Sequence, residues 1–154
     1  FEWLEKAYNN PLDLKAREKM AEASIVAGVA FSHPRTTGSH ACSFPLTNIY
    51  GLPHGEACAF TLDYFLKFNA EHADGDGRIT ALAKDCGFND AFEMADEITA
   101  MKKRMGMRCT LSEIGCETDE QIDELTKKSM SMLMTRNPIT LTQKDIKEMY
   151  IKLK

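Results

Sequence analysis

The feature that most constrains the fold is a segment rich in proline and glycine that separates two histidines, His40 and His54. Pro45, Gly51 and Pro53 make one continuous helix across this segment unfavourable. On a single helix the two imidazole rings would be separated by roughly 21 Å along the axis. A shared metal would need a nitrogen of each ring about 2.0–2.1 Å away. The rings meet only if the chain reverses, so the segment predicts two short helices folded back on each other.

The remainder of the chain shows frequent helical signals and little strand signal. β-Branched residues are scattered, and no run alternates apolar and polar positions over five or more residues. Apolar residues from Leu12 to Phe31 recur mostly at three- and four-residue steps, and the small side chains of residues 21–30 favour a buried central helix. The sequence predicts an all-α bundle of about seven or eight helices. Its 154 residues fit one domain with a sizeable core over residues 1–154.

Polar residues mark the expected helix starts. Asn10, which precedes a proline, is the predicted N-cap of the central helix, and Asn89 is the predicted cap of a later one. Thr118 begins a capping box, and Thr142 is expected to cap the last helix. We expect one helix from about Gly55 to Asn69, where aromatic and small apolar residues form a stripe.

Charge, hydropathy and cysteine content narrow the class of protein. A net charge of −4 and a pI near 5.6 argue against non-specific binding to nucleic acid. No apolar run reaches the roughly 18 residues that a membrane span requires. The five cysteines are an odd number without a Cys-x-x-Cys pair, which favours reduced thiols and a cytoplasmic protein.

A longer pattern surrounds the two histidines. Residues 38–57 are G-S-H-A-C-S-F-P-L-x4-G-L-P-H-G-E-A, which resembles the motif H-A-x-x-H-P-L-x6-P-H-G of the iron-containing (group III) alcohol dehydrogenases. Residues 16–32 are similar to the helix that precedes this motif in the family. The spacing matches, and the resemblance covers the whole chain as the C-terminal helical domain of such an enzyme.

The resemblance implies a two-domain oxidoreductase, an NAD- or NADP-dependent alcohol dehydrogenase or aldehyde reductase. An α/β nucleotide-binding domain would precede this chain, with a divalent metal, usually iron and sometimes zinc, held in the cleft by one Asp and three His. His40 and His54 match the last two ligands. The others would come from an Asp-x-x-x-His motif upstream of Phe1, so we expect residues 1–154 alone to be inactive.

The chain departs from the family at Phe44. Many members have there a second histidine, four residues after the one that matches His40, which is implicated in proton relay near the nicotinamide. A phenyl ring has no acid–base chemistry, so the resemblance implies that a proton must reach this cleft from another group or from water. The ring also predicts a more apolar cleft and a different substrate range.

A second departure lies just before His40, where Arg35 is followed by Thr36, Thr37 and Ser39. A guanidinium with nearby hydroxyls suits a tetrahedral oxyanion. Similar loops occur in members that resemble phosphonoacetaldehyde reductases, which suggests an anionic aldehyde as substrate and Arg35 as a substrate-binding residue. The alternative is that Arg35 is a solvated loop charge.

Other interpretations stay open. A non-catalytic helical interaction or dimerisation module would also have this composition. The sequence is also compatible with an enzyme that forms a homodimer. Glycerol dehydrogenases and dehydroquinate synthases share the two-domain plan but differ in histidine spacing. Cys42 and Cys58 lie near the histidines and would complete a His2Cys2 zinc site only if both thiolates met there, so packing of small residues is the favoured interpretation.

Overall fold

Nine α-helices and two short 3-10 turns make up the computed structural model, which describes residues 1–154 and contains no strand. The helices are α1 (Leu4–Asn9), α2 (Leu14–Ser32), α3 (Gly38–Tyr50), α4 (His54–Phe60), α5 (Leu62–Ala73), α6 (Arg78–Asp85), α7 (Ala91–Arg104), α8 (Asp119–Ser129) and α9 (Gln143–Lys152). The 3-10 turns are Ser112–Ile114 and Met134–Arg136. The predicted all-α fold is confirmed. The helix expected from Gly55 to Asn69 is two helices, α4 and α5, which adds to the predicted number.

The chain divides into two compact units, residues 1–36 and residues 37–154. In the first unit α1 packs against α2, and Asp13 is the N-cap of α2. The Asp13 carboxylate accepts hydrogen bonds of 3.0 Å from the N–H groups of Lys15 and Ala16, which a helix start leaves without helical partners. The predicted cap Asn10 is wrong, since that residue ends α1 instead. The expectation of a single domain over the chain stays a prediction.

The expected burial of α2 is wrong. Only Ala16 of this helix is buried, and Ile25, Val26 and Val29 are 67–71% exposed. Small side chains allow a second helix to approach α2 closely, but they do not ensure that one is present. Helix α1, which packs against α2, is only six residues long and covers little of its surface. None of the nine helices is long and apolar enough to cross a membrane.

The hydrophobic core lies in the second unit. Helix α3 packs against α4, α5 and α8, while α8 packs against α9 and α5 against α7. The largest fully buried apolar side chains come from most of these elements and the loops between them: Leu46, Leu52, Phe60, Leu111, Ile122, Leu125, Met134, Ile146, Met149 and Tyr150. Helices α3 and α4 therefore rest on a continuous core.

The capping predictions differ in outcome. The capping box expected at Thr118 is confirmed, and Thr142 caps the last helix as expected, where it also forms a capping box with Asp145. Helix α7 is capped by Asp90 rather than Asn89, because the Asp90 carboxylate accepts hydrogen bonds from two backbone N–H groups of the first turn. Adjacent polar residues compete for the same donors, so pattern alone placed this start one residue early.

Lys102 of α7 is buried against the junction between α4 and α5. The ammonium of Lys102 donates to the carbonyl oxygens of Ala59 and Phe60, at 3.2 and 3.3 Å, and to the carboxylate of Asp63 at 2.8 Å. The side chains of Lys102 and Asp63 are only 4% and 14% exposed. Since a buried charge is tolerated only when it is paired, this network stabilises the break between the two helices at Thr61.

Replacing this lysine tests its structural role. Lys102→Met keeps an apolar chain of similar length but removes the charged partner of the Asp63 carboxylate, which keeps only the Thr99 hydroxyl and the Tyr64 N–H as donors, and removes the donor to two carbonyls. We expect the free energy of unfolding, measured by urea denaturation, to fall by about 3 kcal/mol. The control is Lys103→Met at the exposed neighbouring position. Equal stability of the two variants would contradict the assignment.

Candidate metal centre

The chain reverses between α3 and α4 as the sequence predicts. Gly51 ends α3 in the left-handed conformation, with φ of 69°, which glycine adopts without steric cost. Its N–H donates to the carbonyl of Thr47 at 3.0 Å, and the N–H of Leu52 donates to Leu46 at 3.4 Å. Leu52 is buried, and Pro53 precedes the first residue of α4. The two helices therefore pack against each other across a tight connection.

A close contact fixes the start of α3. A Cβ atom on Gly38 would lie 2.2 Å from the ring of Phe65, which is itself buried on α5. Only a hydrogen fits there, so the first turn of α3 lies directly against α5. His40 belongs to this first turn, and Pro45 is accommodated further along the same helix.

The two histidines meet across the reversal. Nε2 of His40 and Nε2 of His54 are 3.2 Å apart, and the rings are inclined by 76° with centroids 4.9 Å apart. His40 is half-buried and His54 is exposed. The structure thus brings both candidate ligands together, whereas their role in binding a metal stays a prediction.

A cysteine joins the histidine pair. Sγ of Cys58 lies 3.6 Å from Nε2 of His54, and 3.5 and 4.0 Å from Nδ1 and Nε2 of His40. One ligand atom from each of these three side chains lies within 4.8 Å of the other two. Sequence reasoning favoured packing for Cys58. Its position four residues after His54 was the available signal, since that spacing places both on one helix face.

The other cysteine near the motif does not belong to this cluster. Cys42 is fully buried in the core, and this burial raises the pKa of its thiol to about 11. The packing role predicted for Cys42 agrees with this burial.

Burial affects the ionisable groups of the cluster formed by His40, His54 and Cys58. Burial lowers the pKa of His40, and the adjacent His54 lowers it further, which favours the neutral imidazole. Burial raises the pKa of the Cys58 thiol. Imidazole nitrogens and a thiolate sulfur are potential ligands of a divalent cation. The short contact between the two rings also fits an N–H···N hydrogen bond.

Phe44 borders the same cluster. Its ring centroid is 6.3 Å from that of His40 and 6.0 Å from that of His54, and the side chain is about half exposed. The ring therefore adds an apolar wall beside both imidazoles. The position of the Phe44 ring beside both imidazoles agrees with the predicted apolar character of this part of the cleft.

Arg35 belongs to the first unit, where it is exposed. It has a φ of 67°, and its N–H donates to the carbonyl of Phe31 at 3.0 Å. A residue other than glycine adopts this conformation at a cost of about 1 kcal/mol. No sequence pattern indicates this strained backbone, and the role of Arg35 in a site stays a prediction.

An ion pair anchors the helix that carries His54 and Cys58. Glu56 accepts hydrogen bonds from the side chain of Arg108, at 2.9 Å from Nε and 2.7 Å from Nη2, and from its backbone N–H at 2.9 Å. Arg108 holds the pKa of the Glu56 carboxyl below its usual range. These residues are 52 positions apart, so no local pattern could have indicated the contact.

A helical domain that gathers two histidines and a cysteine at a helix reversal defines a candidate metal-binding domain. Residues 1–153 match the family described as "Fe-containing alcohol dehydrogenase family, C-terminal". The chain belongs to this family, which confirms the resemblance seen in the sequence.

Individual relatives agree with the assignment. An alcohol dehydrogenase of Thermococcus barophilus is 31% identical over 153 residues, which cover 97% of this chain and 39% of the relative. A crystal structure of sulfoacetaldehyde reductase from Bifidobacterium kashiwanohense in complex with NAD+ is similar at a TM-score of 0.93 and 47% identity, covering 99% of this chain and 40% of that one. Long-chain-alcohol dehydrogenase 1 of Geobacillus thermodenitrificans is 28% identical over 157 residues, covering 96% of this chain and 39% of its own. The chain therefore spans about two fifths of the length of these relatives.

The close contact at the start of α3 gives a test by substitution. Gly38→Ala forces either the Phe65 ring or the first turn of α3 to move, so we expect the free energy of unfolding to fall by about 1–3 kcal/mol. Gly55→Ala is the matched control, because a Cβ there meets nothing within 4 Å. That variant should be unchanged or more stable, since alanine favours helix. Urea denaturation measures both, and a Gly38→Ala variant as stable as Gly55→Ala would show that the contact is not restrictive.

Proposed function

We propose that this chain is the C-terminal domain of a metal-dependent, NAD(P)-linked alcohol dehydrogenase or aldehyde reductase. His40 and His54 are proposed to supply two ligands of the metal. The observation that carries the proposal is the 3.2 Å separation of their Nε2 atoms, produced by residues that the chain places on two different helices. Membership of the iron-containing alcohol dehydrogenase family supports the reaction class.

The donor geometry fits a divalent cation. Two nitrogens each 2.0–2.1 Å from a tetrahedral metal are about 3.3–3.4 Å apart, close to the separation found here. Imidazole nitrogen suits iron and zinc alike. A cation could therefore bind both rings with little movement of α3 or α4.

The remaining parts of the enzyme are assigned to sequence outside this chain. We infer that an Asp and a further His complete the metal site, and that a nucleotide-binding domain precedes residue 1. The relatives are more than twice as long as this chain, which supports that arrangement. By the same reasoning, residues 1–154 alone are expected to lack aldehyde reductase activity.

A bound divalent metal supplies Lewis acidity at the substrate carbonyl oxygen, and the nicotinamide supplies hydride. The histidines fix the position of this chemistry, because α3 and α4 rest on the buried core. Phe44 displaces water beside them but has no proton to give. The proton that completes reduction of an aldehyde must come from water or from a group elsewhere in the cleft.

The substrate is proposed to be an aldehyde that carries a tetrahedral anion, a sulfonate or a phosphonate, with Arg35 as its cationic partner. The relative of known structure at 47% identity is a sulfoacetaldehyde reductase with NAD+ bound, which supports an anionic substrate and NAD as cofactor. The strained backbone of Arg35 and the hydroxyl groups of Thr36, Thr37 and Ser39 beside it in sequence support a binding role.

One observation favours the interaction module instead. Ile25, Val26 and Val29 of α2 are largely exposed, and exposed apolar groups often mark contacts with other protein surfaces. Such a module would bind no metal at the histidine pair. Metal analysis therefore separates the two functions, although an enzyme could also use α2 for association.

Removing either proposed ligand tests the metal site. His40→Ala and His54→Ala are each expected to lower the metal affinity of the full-length protein by more than about tenfold, measured by metal analysis after equilibration with limiting metal. Aldehyde reduction should fall in parallel. His33→Ala, at an exposed histidine of the first unit, is the control and should keep the metal content of the parent. Normal metal affinity in both ligand variants would refute the assignment.

Kinetics on charged and neutral substrates test Arg35. Loss of a bidentate charge-assisted contact costs about 1.5–3 kcal/mol, so Arg35→Ala should raise KM for a sulfonate or phosphonate aldehyde by roughly 10- to 150-fold. A neutral aldehyde of similar size should be reduced as well as by the parent enzyme. Arg17→Ala, at an exposed arginine of α2, is the control. An unchanged KM for the anionic aldehyde would remove Arg35 from the site.

A further inference from the structure

We propose that Arg108 is a positioning residue of the metal site. Through Glu56 it fixes the first turn of α4, and with it the distance between His54 and His40. The proposal rests on the metal site proposed above for the two histidines. It gives a functional role to an arginine that lies outside the histidine motif.

Three hydrogen bonds join Arg108 to Glu56. The Glu56 carboxylate accepts from Nε and Nη2 of the guanidinium, at 2.9 and 2.7 Å, and from the Arg108 backbone N–H at 2.9 Å. The Glu56 side chain is only 16% exposed, and that of Arg108 is 38% exposed. A bidentate contact fixes orientation as well as distance, and the third bond ties the carboxylate to the main chain. Glu56 is therefore held at one place relative to the loop after α7.

The loop that carries Arg108 is itself fastened on both sides. Before it, the N–H of Met107 donates to the carbonyl of Lys102 in the last turn of α7, at 3.0 Å. After it, the N–H of Leu111 donates to the carbonyl of Leu153 at 2.7 Å, and the Leu111 side chain is fully buried in the core. Arg108 thus connects the first turn of α4 to a rigid part of the second unit.

The position of His54 depends on this turn of α4. Glu56 follows His54 by two residues, so a shift of this turn moves the His54 ring relative to His40 on α3. Their Nε2 atoms are 3.2 Å apart, close to the 3.3–3.4 Å expected for two nitrogens on a tetrahedral metal. A metal site requires its donors within about 0.5 Å of the productive geometry. A helix of seven residues does not maintain such a position by itself, so the ion pair supplies the constraint.

A purely electrostatic role of the pair predicts a different result. If the two side chains acted on the cation only through their charges, removal of the positive Arg108 would raise the affinity for the metal, and removal of the negative Glu56 would lower it. Positioning requires both partners, so the loss of either one lowers the affinity. The direction of the change in an Arg108 variant separates the two explanations.

Cobalt titration of the full-length protein tests the proposal without relying on activity. Arg108→Ala and Glu56→Ala are each expected to lower the affinity for Co²⁺ by about tenfold or more, and the double variant should lose no more than the single variants, since all three remove the same contact. The visible spectrum of bound Co²⁺ at saturation, which depends on the arrangement of its ligands, should change as well. Lys147→Ala is the control. It removes an ion pair with Asp123 that joins α9 to α8, and it should keep the affinity and the spectrum of the parent.

The outcomes separate the positioning role from the metal site itself. If His54→Ala loses affinity for Co²⁺ while Arg108→Ala and Glu56→Ala bind it like the parent, the positioning role is wrong and the histidine site stands. A higher affinity in Arg108→Ala, or additive losses in the double variant, also overturns the role. If neither His40→Ala nor His54→Ala changes the affinity, the histidine site fails, and the role of Arg108 fails with it.

A second variant keeps the test independent of folding. Arg108→Gln retains a polar side chain but lacks the guanidinium fork, and it should lower the affinity for Co²⁺ in the same direction as Arg108→Ala. Urea denaturation of each variant reports its stability separately. A variant that is less stable than the parent but has the affinity and the spectrum of the parent would show that Arg108 only supports the fold, and this result would contradict the proposal.

Discussion

The left-handed turn at Gly51 is the constraint on which the candidate site depends. It ends α3, sends the chain back along itself through buried Leu52, and begins α4 after Pro53. Residues that would be roughly 21 Å apart on one helix are thereby brought into contact. The core beneath α3 and α4 then holds this reversal in place, so the position of the histidines follows from backbone geometry and burial before any metal is considered.

Helix α4 has only seven residues, too few to be stable as an isolated helix in water. Polar contacts hold it at both ends. Glu56 ties its first turn to Arg108, and Lys102 donates to the carbonyls of its last residues. Packing against α3 supplies the remaining support. The short helix is therefore positioned by its surroundings.

Local signals predicted much of this structure. The reversal between His40 and His54 follows from proline and glycine, and the capping boxes at Thr118 and Thr142 follow from hydrogen bonds within a few residues. The position of Cys58 could have been inferred from helical spacing. The buried Lys102 could not, because its partners lie about forty residues away and only tertiary packing brings them together. The exposure of α2 was missed for the same reason, since periodicity shows where a helix forms and not what covers it.

The pairing of His54 and Cys58 on one turn has a mechanical consequence. His54 and Cys58 lie one turn apart on a seven-residue helix that polar contacts hold at both ends, so their spacing is set within α4. Only their separation from His40, across the α3–α4 interface, remains adjustable. A change in the distance between the two imidazole rings would therefore require α4 to slide against α3, rather than a rearrangement of independent side chains.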